Sequence, residues 1–320
     1  MGKENQKGIM IDARRLPLRD ETVFIVFDLE WNQCPYGRAC SEPGLPFEII
    51  DIGAVKLARD LSVIDTFHCF VRPQVYKKLH FRTKEVIGID RLELEDGLPF
   101  EDAARSFFAW CGQDFIFCTW GDTDLTELQR NLQYYDMLAF LPGPLFFEDV
   151  QKLFAVTYEE RRKRRSLENA TDFLSLTPPQ EYHRAYDDAA CTAQILQQIP
   201  EEVILQDFSI DSFQHPEDVT QELRLRCKGC ERYISREFPS KEIAMHNEEV
   251  RSLHCPDCGK NVKRVIKWTG RNGRYTALGK CPEHGFVYGR IRVKKTAGDP
   301  VYIEKVTRPV SDKEAEELIG

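Results

Sequence analysis

Three short acidic clusters lie in the first two-thirds of the chain, next to segments with a regular hydrophobic pattern. The first is Asp28-Leu29-Glu30 at the end of an apolar run, and the second is Trp120-Gly121-Asp122-Thr123-Asp124. The third consists of His183 and, five residues later, Asp188. Grouped carboxylates bind hard divalent cations, and a neighbouring histidine can accept a proton from water near neutral pH. This combination predicts a metal-dependent nuclease.

The first cluster lies on a predicted strand, so its two carboxylates share one face. Asp28 and Glu30 are two residues apart, which separates them by about 6.6 Å along the backbone. An isolated buried charge costs several kcal/mol, so carboxylates on such a face are paired or bind a metal. The alternative is a strand end that emerges into solvent.

The second and third clusters each offer two aspartates at the start of a predicted helix. Asp124 lies on the apolar side of its helix, whereas Asp122 lies on a polar face and suits the helix start. Asp188 heads an apolar stripe, whereas Asp187 belongs to a more polar one. We therefore predict Asp124 and Asp188 as the inward ligands. A single aspartate at a helix start is more often a cap.

Strand patterns followed by strand–helix alternation predict a mixed α/β domain. Predicted strands are residues 22–31, 47–57, 61–71 and 115–120, and predicted helices are residues 100–111, 123–132, 148–156, 167–174 and 185–199. The predicted organisation is an N-terminal extension (1–21), the α/β domain (22–200), a linker (201–221), a cysteine-rich domain (222–310) and an acidic tail or short helix (311–320).

The order and chemistry of the clusters resemble the DEDDh 3′–5′ exonucleases, the superfamily of RNase T and DnaQ-like proofreading subunits, over roughly residues 22–199. The family's Asp-x-Glu strand, second aspartate and His-x4-Asp motif are matched by Asp28, Glu30, Asp124, His183 and Asp188. The segments FEIIDIGAVKL and FHCFVRP resemble the branch of KapD-like bacterial proteins and small-RNA-trimming exonucleases. That branch often has Thr-Gly-Ile where this chain has Ile87-Gly88-Ile89.

The resemblance implies an RNase H-like mixed sheet flanked by helices, and two-metal hydrolysis of phosphodiester bonds. Two Mg²⁺ or Mn²⁺ ions would be bound by Asp28, Glu30, Asp124 and Asp188. His183 would deprotonate the attacking water, and the product would be a nucleoside 5′-monophosphate.

Aromatic and basic residues near these motifs are candidates for contact with the substrate. Trp31 and Trp120 could stack on a terminal base, or pack as ordinary aromatic residues at a strand end. The run Arg161–Arg165 is either a solvated surface or a contact for the phosphate backbone.

Five of the eleven cysteines follow residue 225 in paired spacings, which in a reducing compartment indicates metal ligands. The zinc-ligand candidates are Cys227, Cys230, Cys255, Cys258, Cys281 and His284, with His246 and His254 as possible helpers. Either Cys255/Cys258 joins Cys281/His284, or it joins Cys227/Cys230. The pattern resembles a zinc ribbon, a small, mainly β domain with one or possibly two structural zinc ions.

The zinc-ribbon region is basic although the chain has a formal net charge of -8. Residues 260–295 contain 11 Lys/Arg and one acid, with interleaved aromatic residues. We predict that this region binds single-stranded nucleic acid, with Lys267, Arg271 and Arg274 as contacts. The alternative is a module stabilised by zinc that packs on the catalytic domain or on another protein.

The sequence therefore predicts a metal-dependent 3′–5′ exonuclease that acts on single-stranded RNA or DNA ends. RNA is favoured because of the family branch. The alternatives are a non-catalytic regulatory protein that binds nucleic acid or protein, and a proofreading subunit associated with a polymerase. A secretory signal and an apolar run of about 20 residues are both missing from the sequence, which predicts a cytoplasmic protein without membrane contact.

Overall fold

The computed structural model describes residues 9–12, 21–87, 94–159, 164–177, 184–204, 208–227, 229–296 and 298–319. The chain divides into two compact units. The first unit is Leu18–Ile204 with Phe208–Phe213, and the second unit is Met1–Pro17, Leu205–Asp207 and Gln214–Gly320.

The strands and helices follow the chain order. The strands are β1 (Ile9–Asp12), β2 (Val23–Gln33), β3 (Phe47–Leu57), β4 (Val63–Phe70), β5 (Phe115–Thr119), β6 (Leu145–Asp149), β7 (Ser209–Asp211), β8 (Leu223–Cys227), β9 (Cys230–Ile234), β10 (Lys263–Arg271), β11 (Arg274–Cys281), β12 (Gly285–Lys295) and β13 (Val301–Val310). The helices are α1 (Phe81–Ile87), α2 (Phe100–Cys111), α3 (Thr123–Tyr134), α4 (Val150–Tyr158), α5 (Leu167–Phe173), α6 (Ala185–Leu196), α7 (Glu201–Ile204), α8 (Lys241–His246), α9 (Glu248–Arg251) and α10 (Asp312–Ile319).

The first unit is built on a six-stranded sheet in the order β4-β3-β2-β5-β6-β7. Strand β2 lies inside this sheet, antiparallel to β3 and parallel to β5. Its β-branched and aromatic residues suit a strand buried on both faces. The sheet is mixed because β5 and β6 are parallel whereas β6 and β7 are antiparallel.

Helices cover both faces of this sheet, so the core has two layers. On one face Phe27 of β2 packs with Phe107 of α2 and with Phe117. On the other face Phe24 packs with Phe154 of α4 and with residues of α6. The predicted α/β fold, an RNase H-like mixed sheet flanked by helices, is confirmed.

The start of helix α6 lies directly against β3, and a glycine makes this contact possible. Gly53 of β3 is opposite Asp28 of β2 in the antiparallel ladder. A Cβ atom at Gly53 would lie 2.0 Å from the backbone nitrogen of Tyr186, far inside van der Waals contact. The missing side chain therefore lets the first turn of α6, with Asp188, approach the carboxylates of β2.

The second unit is mainly β, with a seven-stranded sheet in the order β1-β8-β9-β13-β12-β11-β10. Strand β1 pairs in parallel with β8, although its residues were predicted to belong to an N-terminal extension. One face of the sheet is covered by α8 and α9, and its core includes Ile291, Ile303 and Val250. The acidic end of the chain is the helix α10, and Ala315 is its buried residue. Within the described part of the chain, every helix is too short or too polar to cross a bilayer.

Substitution of Gly53 by alanine will displace the start of α6. The clash is with backbone atoms, so we expect an overpacking cost of about 1–3 kcal/mol and weaker metal binding, because Asp188 moves with the helix. Thermal melting with and without Mn²⁺ measures both effects. Gly112→Ala is the control: its left-handed φ of 89° makes the change destabilising, but a Cβ there would meet no atom within 4 Å. An unchanged response of Gly53→Ala to Mn²⁺ would contradict the positioning role.

Candidate metal-binding active site

Three carboxylates from two elements converge beside β2. Asp28 and Glu30 follow Phe24 on the same face of the strand, where the side chains change from apolar to acidic. Asp188 reaches them from the first turn of α6. One oxygen from each of the three carboxylates lies within 4.8 Å of the others, a spacing that would allow them to hold a metal ion.

The second acidic cluster joins this group through a hydrogen bond to the backbone. Asp124 lies in the first turn of α3 and is 6% exposed. Its Oδ1 accepts from the backbone N–H of Leu29 at 3.2 Å, and Leu29 is the residue between Asp28 and Glu30. Asp122 is exposed at the N-cap position. The structure therefore brings Asp124, and not Asp122, to the cluster.

Burial and mutual repulsion make this group costly in its ionised form. Burial raises the pKa of Asp28 well above its ordinary value, and the neighbouring charges of Asp124, Glu30 and Asp188 raise it further. The pKa of Glu30 is raised to about 8, first by burial and then by Asp188, Asp124 and Asp51. Burial also raises the pKa of Asp124 to about 7. Oxygen ligands that cannot all carry charge without a counterion suit hard divalent cations.

A fifth acid, Asp51, was missed by sequence reasoning. It is fully buried and is opposite Glu30 in the ladder between β2 and β3. His68 Nε2 lies 2.9 Å from Asp51 Oδ1, and this contact with the carboxylate raises the pKa of His68. The signal in the sequence was an aspartate inside the apolar segment FEIIDIGAV. Its contribution became evident only when the ladder placed it beside Glu30.

Some predicted residues lie outside the described residues, and others are placed in the core. His183, residues 161–163 of the basic run, and Gly88 and Ile89 are outside the described residues, so the role of His183 stays a prediction. Trp31 is half-buried and packs on Phe47, with ring centroids 5.7 Å apart. Trp120 is half-buried and packs on Phe154. Their base-stacking role likewise stays a prediction.

A second group of ligand-type side chains lies in the second unit. Cys255, Cys258, Cys281 and His284 offer atoms that are all within 4.8 Å of one another. The Sγ atoms of Cys258 and Cys281 are 3.8 Å apart, and Cys281 Sγ lies 3.7 Å from His284 Nδ1. Each turn is followed by a glycine with a left-handed φ, Gly259 at 72° and Gly285 at 78°. Three sulfurs and one imidazole form a donor set that suits tetrahedral zinc.

The remaining zinc-ligand candidates lie elsewhere in the second unit. Cys227 and Cys230 are opposite each other at the end of the β8–β9 hairpin and are not members of the four-residue group. His254 Nδ1 lies 3.0 Å from a guanidinium nitrogen of Arg224, and His246 Nδ1 lies 2.7 Å from the carbonyl of Glu242. Of the two pairings left open by spacing, the structure supports Cys255/Cys258 with Cys281/His284.

Four carboxylates gathered beside one strand of a mixed sheet form a ligand set that suits divalent cations, which many phosphodiester-cleaving enzymes use. The profile of the RNase T family, described as "Exonuclease", matches residues 25–196, which lie within the first unit. The match covers more than half of the chain. The protein therefore belongs to the RNase T exonuclease family, and its enzyme class is 3′–5′ exonuclease. The family predicted from the three motifs is confirmed.

Similar proteins include bacterial and mammalian exonucleases. The probable 3′–5′ exonuclease KapD of Bacillus subtilis (strain 168) is 28% identical over 169 residues, which cover 52% of this chain and 78% of KapD. ERI1 exoribonuclease 2 of Mus musculus is 27% identical over 198 residues, 53% of this chain and 27% of that protein. A PolC-type DNA polymerase III of Clostridium perfringens is 27% identical over 193 residues, but these cover only 12% of the polymerase. The nuclease domain of 3′hExo, a solved structure, is 21% identical with a TM-score of 0.47, covering 55% of this chain and 90% of that one.

Metal-free protein will lose stability as pH rises through the range in which the cluster ionises. The folded state raises the pKa of Glu30 from 4.5 to about 8, so the unfolded chain binds fewer protons between these values. Stability attributable to this group therefore falls with rising pH in that window. Mn²⁺ will raise the melting temperature more at the alkaline end, where fewer protons compete with it.

The contribution of the cluster can be isolated with Glu30→Gln, because other groups also titrate. Lys305, for example, has its pKa lowered to about 7 by burial, which acts in the opposite direction. The difference in melting temperature between the two proteins, measured in chelator across the pH range, reports Glu30 together with its repulsion of the neighbouring carboxylates. We expect Glu30→Gln to be relatively more stable at alkaline pH and insensitive to Mn²⁺. A constant difference at every pH would contradict the electrostatic account.

Proposed function

We propose that this protein is a metal-dependent 3′–5′ exonuclease that removes nucleoside 5′-monophosphates from single-stranded ends and prefers RNA. The observation that carries the proposal is the convergence of Asp28, Glu30 and Asp188 within 4.8 Å, with Asp124 bonded to the same strand. The preference for RNA is supported by the match to ERI1 exoribonuclease 2. Cytoplasmic localisation stays a prediction from the sequence.

The residues of the chain have separate tasks in this reaction. The four carboxylates would bind two Mg²⁺ or Mn²⁺ ions, which when bound supply Lewis-acid stabilisation of the attacking and leaving oxygens. The backbone N–H of Leu29 donates to Oδ1 of Asp124 and so fixes the orientation of this carboxylate, including that of its Oδ2. His183 would accept the proton of the attacking water at neutral pH.

We also propose that Cys255, Cys258, Cys281 and His284 bind one structural zinc ion. The support is the approach of four soft or borderline ligands from two glycine-ended turns. Thiolates and imidazole are the ligands that zinc prefers, whereas Mg²⁺ prefers oxygen. The protein would therefore bind two kinds of metal in two separate units.

Paired aspartates in the second and third clusters provide an internal test of the active site. Asp124→Asn and Asp188→Asn will lower kcat for degradation of a 5′-labelled RNA by about 100-fold or more, because a metal ligand is lost. Asp122→Asn and Asp187→Asn, which make the same chemical change one or two residues away, will keep activity near wild type. Circular dichroism checks that all four variants are folded.

The substrate preference follows from the same assay. RNA and DNA of matched sequence, single- and double-stranded, are compared with Mg²⁺, and products are identified as mononucleotides by chromatography. We expect single-stranded RNA to be degraded fastest from its 3′ end. If Asp124→Asn retained wild-type activity, or if only internal cleavage were observed, the proposed function would be wrong.

Zinc content will distinguish the proposed ligands from the other cysteines. Cys281→Ser will reduce zinc from one ion per chain to near zero and lower the melting temperature of the second unit, because a closed structural site contributes directly to folding. Cys227→Ser will retain one zinc, since Cys227 is outside the four-residue group. Elemental analysis of the purified full-length chains provides the measurement, and zinc loss in both variants would refute this ligand set.

A further inference from the structure

The face of the second-unit sheet opposite α8 and α9 carries an unusual concentration of arginine. Strand β12 shows the alternation: Ile291 is fully buried beneath the helices, whereas Arg290 and Arg292 on either side of it are exposed. Adjacent residues of a strand point to opposite faces. Both arginines therefore lie on the face of the sheet that α8 and α9 leave open.

Three arginines on this face form a continuous row across neighbouring strands. Arg271 of β10 is directly opposite Arg274 of β11, and Arg274 is directly opposite Arg292 of β12. All three are exposed. Neighbouring strands are about 4.8 Å apart, so the row presents positive charges at short, regular intervals. We call Arg271, Arg274 and Arg292 the arginine row.

The next row of the sheet adds a fourth positive charge and two hydroxyl groups. Arg290 is opposite Thr276, and Thr276 is opposite Thr269. The pKa of Arg290 is lowered, first by burial and then by the positive charge of Arg292. Arg290 and Arg292 are two residues apart on one face of β12, about 6.6 Å along the backbone, so their positive charges repel each other.

The charges of the arginine row are only partly offset by Glu304, which lies opposite Arg292 and favours the charged form of Arg290. Among the described residues, Arg271, Arg274, Arg290 and Arg292 form no ion pair. The acid nearest in the ladder is Glu304, opposite Arg292, and its carboxylate lies 3.5 Å from Lys294. Like charges directly opposite each other destabilise a sheet. An anionic ligand would remove this cost.

The regular spacing favours a polymer with repeated negative charge. A single small anion would contact one or two guanidinium groups, whereas a row that crosses three strands can contact successive phosphates. Arginine binds phosphate through two parallel N–H donors. Tyr288, half-buried on the same face, adds an aromatic ring on which Arg308 is stacked at 5.1 Å.

We propose that the arginine row, with Arg290, binds the phosphodiester backbone of single-stranded nucleic acid. This inference rests on the proposed function, since a nuclease encounters that polymer as substrate. It also revises the contacts predicted from sequence: Arg271 and Arg274 belong to the row, whereas Arg290 and Arg292 were not predicted. The contact is to the backbone, so it holds for RNA and DNA alike.

Binding of labelled oligonucleotides to the full-length chain tests the row. Fluorescence anisotropy is measured with RNA and DNA of roughly 16 nucleotides, the upper range for a single binding module, in chelator to prevent hydrolysis. We expect the double variant Arg274→Gln/Arg292→Gln to bind the RNA and the DNA oligonucleotide about tenfold or more weakly, since charge-assisted hydrogen bonds are lost. The slope of log K against log salt will fall by about 1.4, or about 0.7 per phosphate contact on single strands.

The control variant removes equal charge from the opposite face. Lys241→Gln/Arg251→Gln changes exposed residues of α8 and α9 and should leave affinity and salt slope close to wild type. Equal losses in both double variants would show a nonspecific charge effect and overturn the proposal. Unchanged affinity in Arg274→Gln/Arg292→Gln would also overturn it. If the variant lost affinity for DNA alone, the proposed contact with the phosphate backbone would be wrong, and a contact that distinguishes the two sugars would explain the result.

Failure of this inference can be separated from failure of the proposed function. Hydrolysis of a dinucleotide with Mg²⁺ depends on the carboxylates and offers a single phosphodiester to the protein. If the arginine variant degrades the dinucleotide normally but binds the long strand as tightly as wild type, only the inference fails. If the wild type binds the long strand through the row but hydrolyses neither substrate, only the proposed function fails.

Discussion

The repulsion among buried carboxylates is the constraint on which the rest of the first unit depends. Asp28, Glu30, Asp124 and Asp188 are held together although burial and mutual charge raise the pKa values of at least three of them. A fold can keep such carboxylates together only if other contacts hold them in place against their repulsion. The two-layer aromatic core around β2 provides these contacts. The ionised group is therefore electrostatically unfavourable on its own, and bound cations would offset the repulsion.

Two backbone contacts act together with this core to set the geometry of the group. Gly53 lets α6 approach β3 at a distance that no other residue would permit. The N–H of Leu29 binds Asp124 from the same strand that carries two other ligands. Because both contacts involve main chain, single side-chain changes elsewhere in the core would disturb the ligand positions only indirectly. Because side chains alternate between the two faces of β2, Asp28 and Glu30 lie on the face covered by α6 and not on the face covered by α2.

Periodicity was sufficient to predict much of this site. Alternation along β2 paired Asp28 with Glu30, and the helical faces selected Asp124 over Asp122, which the burial of Asp124 supports. Periodicity could not predict the contacts that depend on how distant strands and turns pair in the folded protein. Asp51 became part of the site only through the register of β2 and β3, and β1 was too short to produce a pattern of its own. Likewise, spacing alone gave two zinc pairings, and the approach of the turn before β10 to the turn after β11 distinguished between them.

The distribution of charge explains why an acidic protein can act on a polyanion. The net charge of -8 and the carboxylate cluster create a field that opposes the approach of nucleic acid. This field is screened beyond a Debye length of about 8 Å at physiological salt, so local charges decide what binds. The exposed arginines of β10, β11 and β12 are concentrated on one sheet face, where their fields add. A uniform distribution of the same charges would be neutralised by the acidic surface, so the clustering, and not the number of basic residues, is what nucleic-acid binding requires.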